Sequence, residues 1–366
     1  MSLDLTERLL RLTVAALAAL GGGIAPRPSA RPLQPFRLQL PADTAEPARH
    51  RLFDSDDPIE FTLTADWRAV AKDRGTGKRL HPGVLSYRSA TGDTVSVNIQ
   101  LHTRGHYRLR ICEFPPLKLD FDRTDATQTV FAHQGSLKLV VQCRGSHAYA
   151  NYLLEEYLIY RTYTLLTPQS FRVRLARATY IDTRAKGAPA TRYAFFLEDD
   201  DRMARRNHMQ VFAQQGIHQE ETNFQQMGLV TLFQYLIGNT DWSVAAEHNI
   251  VLIRDSAGTV FPVPYDFDWS GVIFTPYAQP DPRLGIRTVR ERIYRGTCRT
   301  PDDFAPLFAQ FNAVKDSIYA LYRGQPDLEP KRVEQALGYY DDFYRTINEP
   351  RRAKHQLSDG CPAARP

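Results

Sequence analysis

The chain has 366 residues, 43% of them hydrophobic and 11% aromatic, a globular balance that excludes wholesale disorder. That length is too great for one small core and predicts two lobes or domains. The net charge of +5 is a mild excess without a clustered basic stripe, which argues against a nucleic-acid footprint.

At the N-terminus, Leu9 to Leu20 is apolar except for Arg11 and Thr13, and small residues follow, with cleavage expected near Ala25 or Ala30. The pattern resembles a secretory signal peptide, although Asp4 and Glu7 offset Arg8 and Arg11. An uncleaved anchor is the rival reading; the short run and three following glycines disfavour it. No other segment is apolar enough to span a membrane, so a secreted, periplasmic or envelope location is expected. Residues 1–30 thus read as signal peptide, 31–50 as a Pro-rich linker, 51–200 as a β-rich half and 201–366 as a helical half.

From Pro58 the periodicity is two. "IEFTLTADW", "GVLSYRSATG", "DTVSVNIQLHTRG", "FPPLKLDFD" and "GSLKLVVQCRG" read as strands between Gly and Asp breaks. Ala150 to Thr167 switches to helical spacing, and "FRVRLARATYID" and "TRYAFFLED" return to strands. From about Arg202 helices dominate. "NFQQMGLVTLFQYLIGNT" is an apolar helix with a stop at Gly238 and Asn239. A hairpin follows, "NIVLIR" and "TVFPVPYD" around "DSAG". A second long helix starts with Thr300 as N-cap and Pro301 in its first turn and ends on Gly324, and a final helix covers "EPKRVEQALGYYDDFYRTINEP".

Four cysteines, Cys112, Cys143, Cys298 and Cys361, are even in number and never spaced CxxC, which fits two disulfides in an exported protein better than zinc. Three connectivities are open. Cys112–Cys143, both in strand-like sequence, with Cys298–Cys361 pinning the tail, is the favoured one. Four free thiols in a cytosolic protein is the rival.

The hairpin carries the chemistry. If its turn is Asp255 to Gly258, Arg254 faces Thr259 and Asn249 falls opposite Pro264. Asp266 then leaves the same end, Asp268 shares its face, and Asp241 arrives from the preceding helix. Converging carboxylates and an amide oxygen suit Mg²⁺ or Mn²⁺. Each residue alone is also explained by turn chemistry.

The run "GNTDW…HNIVLI…PVPYDFDWSG" resembles the spore-coat protein H (CotH) kinase-like family of atypical secreted kinases. "RGHYRLRICEFPPLKLDFD", "LKLVV" and "NYLLEEYLIYRTYTLL" extend the likeness over roughly Arg104 to Ile273. The resemblance implies an α+β, two-lobed protein-kinase-like fold, with a β-rich N-terminal lobe bearing extra strands and a mainly helical C-terminal lobe. It implies an ATP- and divalent-metal-dependent phosphotransferase acting on a hydroxyl acceptor such as protein Ser/Thr. Asp241 would orient or deprotonate the acceptor. Asn249, Asp266 and Asp268 would hold the metal. Lys138 would pair with the phosphates and with Glu156, Glu155 being the alternative; Lys118 is the rival phosphate lysine. Glu198 would line the nucleotide pocket. The Arg-rich segment from Tyr277 to Arg299 would bind an acidic or phosphorylated acceptor.

The step from Asp241 to Asn249 is eight residues, lengthened by "VAAEH", so His248 or Glu247 could replace Asn249. No Gly-rich phosphate loop is found; "RGTGK" at Arg74 to Lys78 is not a Walker motif. Two other readings therefore stand: a non-catalytic, pseudokinase-type envelope or binding protein, and a metal-dependent hydrolase using Asp241 with Asp266 and Asp268.

Overall fold

The alternating segments of the N-terminal half close on themselves. In the computed structural model, which describes residues 51–75, 79–184, 188–359 and 361, seven strands form a barrel. They are β1 (Ile59–Ala65), β2 (His81–Arg88), β3 (Thr94–Thr103), β4 (Leu117–Phe121), β5 (Ser136–Val141), β6 (Val173–Asp182) and β7 (Ala190–Leu197). Their order is β1-β2-β3-β4-β5-β7-β6. The expected signal peptide, the linker and the end of "RGTGK" lie outside the described residues.

Closure rests on β1. It pairs antiparallel with β2 and parallel with β6, from Ile59 opposite Ala176 to Ala65 opposite Asp182. One face of every strand points inward. Phe61, Leu63, Val97, Leu101, Leu119, Leu139, Ala178 and Phe196 fill the barrel around Phe131. Short helices α1 (Trp67–Lys72), α2 (Tyr107–Ile111) and α3 (Arg123–Ala126) decorate its connections.

The β5–β7–β6 wall is apolar on both faces. Val140, Val173, Leu175, Phe195 and Leu197 point outward into a second core. That core is built on α4 (His147–Leu166), α6 (Phe224–Ile237), α7 (Pro301–Arg323) and α8 (Pro330–Asn348). Alternation of side chains thus lets one wall serve two cores. The remaining elements are α5 (Asp200–Arg206), α9 (Pro350–Leu357) and a small sheet of β8 (Gln210–Val211), β9 (Ile250–Arg254) and β10 (Val260–Pro264) in the order β10-β9-β8.

The two-lobed protein-kinase-like fold that the resemblance implies is not what forms. A closed seven-stranded mixed barrel replaces the open β-rich lobe, and its wall is built into the helical core. The strand that closes it, β1, lies upstream of the segment that resembles the family. Its parallel partner is more than a hundred residues away, a pairing that strand alternation does not encode.

Local expectations fare better. Helix α6 starts on Asn223, whose side chain accepts from Gln226 N, and stops at Gly238 with φ 66°. A Cβ there would be strained by the left-handed backbone and would collide with the Tyr339 hydroxyl, so only glycine fits. Thr300 and Asp303 form a capping box on α7. The β9–β10 register differs by one residue from expectation. Asp255 Oδ1 accepts from Ala257 N and Thr259 N, which widens the turn and sets Arg254 opposite Val260. Asn249 then lies across from Tyr265, its carbonyl accepting from Tyr265 N at 3.0 Å, and so one position closer to Asp266.

Both disulfides form in the favoured pairing, Cys112–Cys143 and Cys298–Cys361. The second spans 63 residues and ties the entry of α7 to the tail beyond α9. Chain-entropy arguments give about 4 kcal/mol for a loop of that size. Replacing Cys298 and Cys361 together by Ser should lower unfolding stability by about that amount in denaturant melts. An unchanged midpoint under oxidising conditions would show that the bridge constrains nothing.

Candidate functional site

The site is assembled around Arg108 on the short helix α2. That helix ends at Cys112, bonded to Cys143 just after β5, and α4 begins just beyond, after Ser146. The disulfide thus ties the Arg108 helix to the start of the helix that carries Glu155 and Glu156. Arg108 Nη1 lies 3.1 Å from Glu156 Oε2, Nη2 lies 2.7 Å from Asp266 Oδ1, and Nε lies 3.4 Å from Asp268 Oδ2. Its side chain is 11% exposed. Burial opposes its charge, but Asp268, Glu156 and Asp266 outweigh burial and hold the guanidinium as a cation.

One cation among three carboxylates leaves negative charge in excess, and the acids respond differently. Asp268 is pushed up to about 8 by burial and by repulsion from Asp266 and Glu156, against the pull of Arg108. Burial likewise pushes Glu156 up. For Asp266, burial is overcome by Arg108, Arg104 and Lys138, which hold it below the usual carboxylate range. Asp266 is thus the anion of the cluster and remains partly exposed. Its N–H donates to the Tyr160 hydroxyl at 2.8 Å.

Asp241 follows the Gly238 stop of α6. Asn249 Nδ2 donates to its carbonyl at 2.7 Å and to its Oδ2 at 3.1 Å, and His248 Nε2 is 2.8 Å from its Oδ1. The hydrogen bond that His248 donates to the Asp241 carboxylate raises the His248 pKa. Arg295 donates to the carbonyls of Thr240 (2.5 Å) and Trp242 (2.9 Å), clamping the backbone on both sides of Asp241. Glu247, Asn249 and Asp266 have φ of 48°, 53° and 60°. These are three of the six described non-glycine residues in the left-handed region, and such backbone persists only where its surroundings impose it.

Lys138 stands on the outer face of β5. It pairs with Asp200 Oδ1 at 2.7 Å, at the start of α5, and lies 5.0 Å from the centre of the Tyr265 ring. Burial, with Arg104 and Lys118 nearby, lowers its pKa although Asp200 opposes the shift. The implied Lys138–Glu156 pair is not among the described ion pairs; Asp200 and Arg108 take the two partners' places. Glu155, the alternative, is fully buried and bonds Arg332, which also donates to the Ile273 carbonyl at 2.6 Å. Glu198 is also buried. Its carboxylate is gripped by Arg206 at 3.1 and 2.9 Å and accepts from Arg172 N at 3.0 Å, so it pins α5 to the barrel.

The Arg-rich segment is spent differently from expectation. Arg292 donates to the carbonyls of Tyr235 (2.9 Å), Leu236 (3.1 Å) and Tyr339 (2.5 Å), closing the end of α6. Arg295 holds the Asp241 backbone, and Arg299 bonds the Phe224 carbonyl. Arg283 and Arg287 stay exposed beside Asp281 and Glu291. Exposed pairs of this kind are weakly held.

Sequence reasoning missed Arg108, Arg104 and Asp200. "HYRLRIC" holds three Arg or His side chains just before a cysteine, a signal of charge density but not of direction. Among the described residues no group of three or more His, Cys, Asp or Glu is arranged to hold a metal, and two donor oxygens of Asp266 and Asp268 face Arg108. Comparison with known protein families finds no matching family model, and comparison with curated proteins finds no match.

Removing Arg108 leaves buried carboxylates facing one another. Arg108→Ala should cost about 3–5 kcal/mol of stability; a cost below about 1 kcal/mol in urea melts would show that the acids do not depend on it. Glu155 offers a pH test. Burial pushes it up to about 8 from its ordinary value of 4.5, with Arg332 opposing the shift. The folded protein therefore binds more protons than the unfolded chain between those values, and the associated stability, complete below the lower value, is lost as pH rises through the upper one. Glu155→Gln should remove up to about 4 kcal/mol of the decline between about pH 5 and about pH 8. Parallel pH profiles for both proteins would refute the assignment.

Proposed function

We propose that the groups gathered around Asp241 and Asp266 catalyse nucleotide- and divalent-metal-dependent phosphoryl transfer to a hydroxyl acceptor. The observation that carries the reading is Asp266, an ionised and partly exposed carboxylate on strained backbone, surrounded by Arg108, Arg104 and Lys138. It lies one step along the hairpin from Asn249, which is hydrogen-bonded to Asp241.

Each residue then has a task. Asp241, partly exposed and oriented by Asn249 and His248, accepts the proton of the acceptor hydroxyl. Asp266 and Asn249 offer the hard oxygen donors that suit Mg²⁺ or Mn²⁺, with Asp268 behind them. When bound, the metal shields phosphate charge. Lys138 supplies positive charge for ATP phosphates, and Glu156 acts through Arg108 as a positioning residue for Asp266. Glu198, with both oxygens engaged, has no part in this reading.

The Asp241–His248 pair at 2.8 Å favours a second reading, a hydrolase in which that dyad moves protons without nucleotide. Lys138 separates the two, because a hydrolase has no use for a phosphate-binding lysine. We also propose export. Its support is the two disulfides, which persist in oxidising compartments. No described helix is long and apolar enough to cross a membrane.

Thermal shift with ATP and Mg²⁺ or Mn²⁺ tests the first reading. At a hundredfold excess over Kd the ligand should add about 2.7 kcal/mol. Asp266→Ala and Lys138→Ala should both abolish the shift. Asp241→Asn should keep it while transfer to a hydroxyl acceptor falls about 10²- to 10⁴-fold. The absence of any metal-dependent nucleotide shift in the wild-type protein would overturn the reading, and nucleotide-free hydrolysis that survives Lys138→Ala would favour the second.

A further inference from the structure

Three neighbouring strands carry basic side chains in one row. His102 on β3 pairs in register with Lys118 on β4, and Lys118 with Lys138 on β5. The flanking Leu101, Leu117, Leu119, Leu137 and Leu139 point into the barrel, so the row stands on its outer face. Strands lie about 4.8 Å apart, and the row is therefore about 10 Å long. Beside it opens a cavity of about 460 Å³ bordered by Arg74, His102, Arg104, His106, Arg110 and Lys118, a size typical of small-ligand pockets.

Like charges directly opposite on adjacent strands repel. The acids nearby are already committed. Asp200 pairs with Lys138, Asp120 lies against His102 and accepts from Ser136, Asp73 pairs with His81, and Asp199 caps α5. The Arg74 guanidinium is used on the carbonyls of Leu109, Cys112 and Glu113. Arg104 and Lys118 have no hydrogen-bond or ion-pair partner for their side-chain charges among the described residues, and Arg110 only approaches the Tyr107 ring at 6.0 Å. The fold holds these cations together against their repulsion; Asp266 and Glu156 act on Arg104, and Asp199 on Lys118, only through space, and no described acid is in contact with either side chain.

We propose that this cavity binds a phosphate-type dianion through Arg104, Lys118 and Arg110. A single carboxylate would leave two of the three charges unbalanced, whereas a dianion with three acceptor oxygens can engage all of them. The cations are confined to one cavity, which suits a small ligand better than an extended polyanion. Lys118, on the border of the cavity, is the in-register neighbour of Lys138, so the cavity lies beside the Lys138 end of the candidate site. The anion site stands on the row and the cavity; its link to catalysis rests on the phosphoryl-transfer reading. Two sources share the chemistry: the nucleotide's own phosphate chain, or a phosphate already present on the acceptor.

The test titrates the full chain calorimetrically with inorganic phosphate and with tripolyphosphate, chloride holding the ionic strength constant. Lys118→Gln and Arg104→Gln should each weaken binding at least about tenfold, as the loss of a charge-assisted contact implies. Arg283→Gln, in the exposed Arg-rich segment, should leave it unchanged. Lys118→Gln should also melt no lower than the wild type without anion, since it removes a repulsion. If the wild type binds neither anion beyond chloride, or if all three variants bind equally, the proposal is overturned. ATP with Mg²⁺ then separates the sources. An equal loss of ATP affinity in Lys118→Gln assigns the cavity to the nucleotide, and unchanged ATP affinity assigns it to a phosphorylated acceptor. Phosphate binding without any nucleotide shift would leave the anion site standing and overturn the transfer reading alone.

Discussion

Arg108 holds together parts of the chain that have no other reason to meet. Its guanidinium joins Glu156 on α4 to Asp266 and Asp268 beyond β10, and it is presented from a helix of only five residues. Three acids brought this close without a cation would repel in a medium that screens poorly. With Arg108 among them, burial and repulsion raise Asp268 and Glu156 while Asp266 stays low. The cluster therefore concentrates its negative charge on the one acid that faces outward.

A five-residue helix cannot hold an arginine in place by its own stability. The Cys112–Cys143 bridge supplies the constraint by fixing its end to the segment between β5 and α4. That segment belongs to the wall shared by the two cores, so the position of Arg108 follows from barrel packing. The same wall carries Lys138 outward toward Tyr265 and Asp200. The barrel thus acts as a frame for the cations, and the hairpin with its preceding loop as a frame for the anions. In the phosphoryl-transfer reading the reacting groups would sit between two rigid supports, as preorganised electrostatics requires.

Much of the local structure was legible in the sequence. The strand segments, the Gly238 stop and the Thr300 cap follow from alternation and from capping chemistry, and of the three open disulfide connectivities the favoured one forms. The hairpin also announced Asp241, Asn249 and Asp266 as neighbours. The topology was not legible, because the β1–β6 pairing is parallel and distant and because the apolar runs "LVV" and "AFFL" do not say which core each side chain enters. The one-residue shift of the hairpin came from the Asp255 side chain, which captures two backbone N–H groups and enlarges the turn. The partners of the charged residues were the least legible. Lys138 and Glu156 sit where expected on strand and helix, but each met a nearer opposite charge, Asp200 or Arg108, supplied by a short helix that periodicity cannot reveal.

The arginines show why counting charge in sequence misplaces function. The segment from Tyr277 to Arg299 is the densest in Arg, yet Arg292, Arg295 and Arg299 are turned onto main-chain carbonyls. Arg292 and Arg295 reach carbonyls at and just beyond the C-terminal end of α6, where intrahelical donors run out, and Arg299 reaches the carbonyl of its first residue, Phe224. Guanidinium forks satisfy two or three of them at once, which lysine cannot do with the same planar geometry. The charge that stays uncommitted lies instead on Lys118 of β4, where regular pairing already satisfies the backbone, and on Arg104 and Arg110 in the connection between β3 and β4. In this fold, arginines that reach main-chain carbonyls are consumed by structure, whereas Lys118, on a paired strand with no acid in contact, remains available to a ligand.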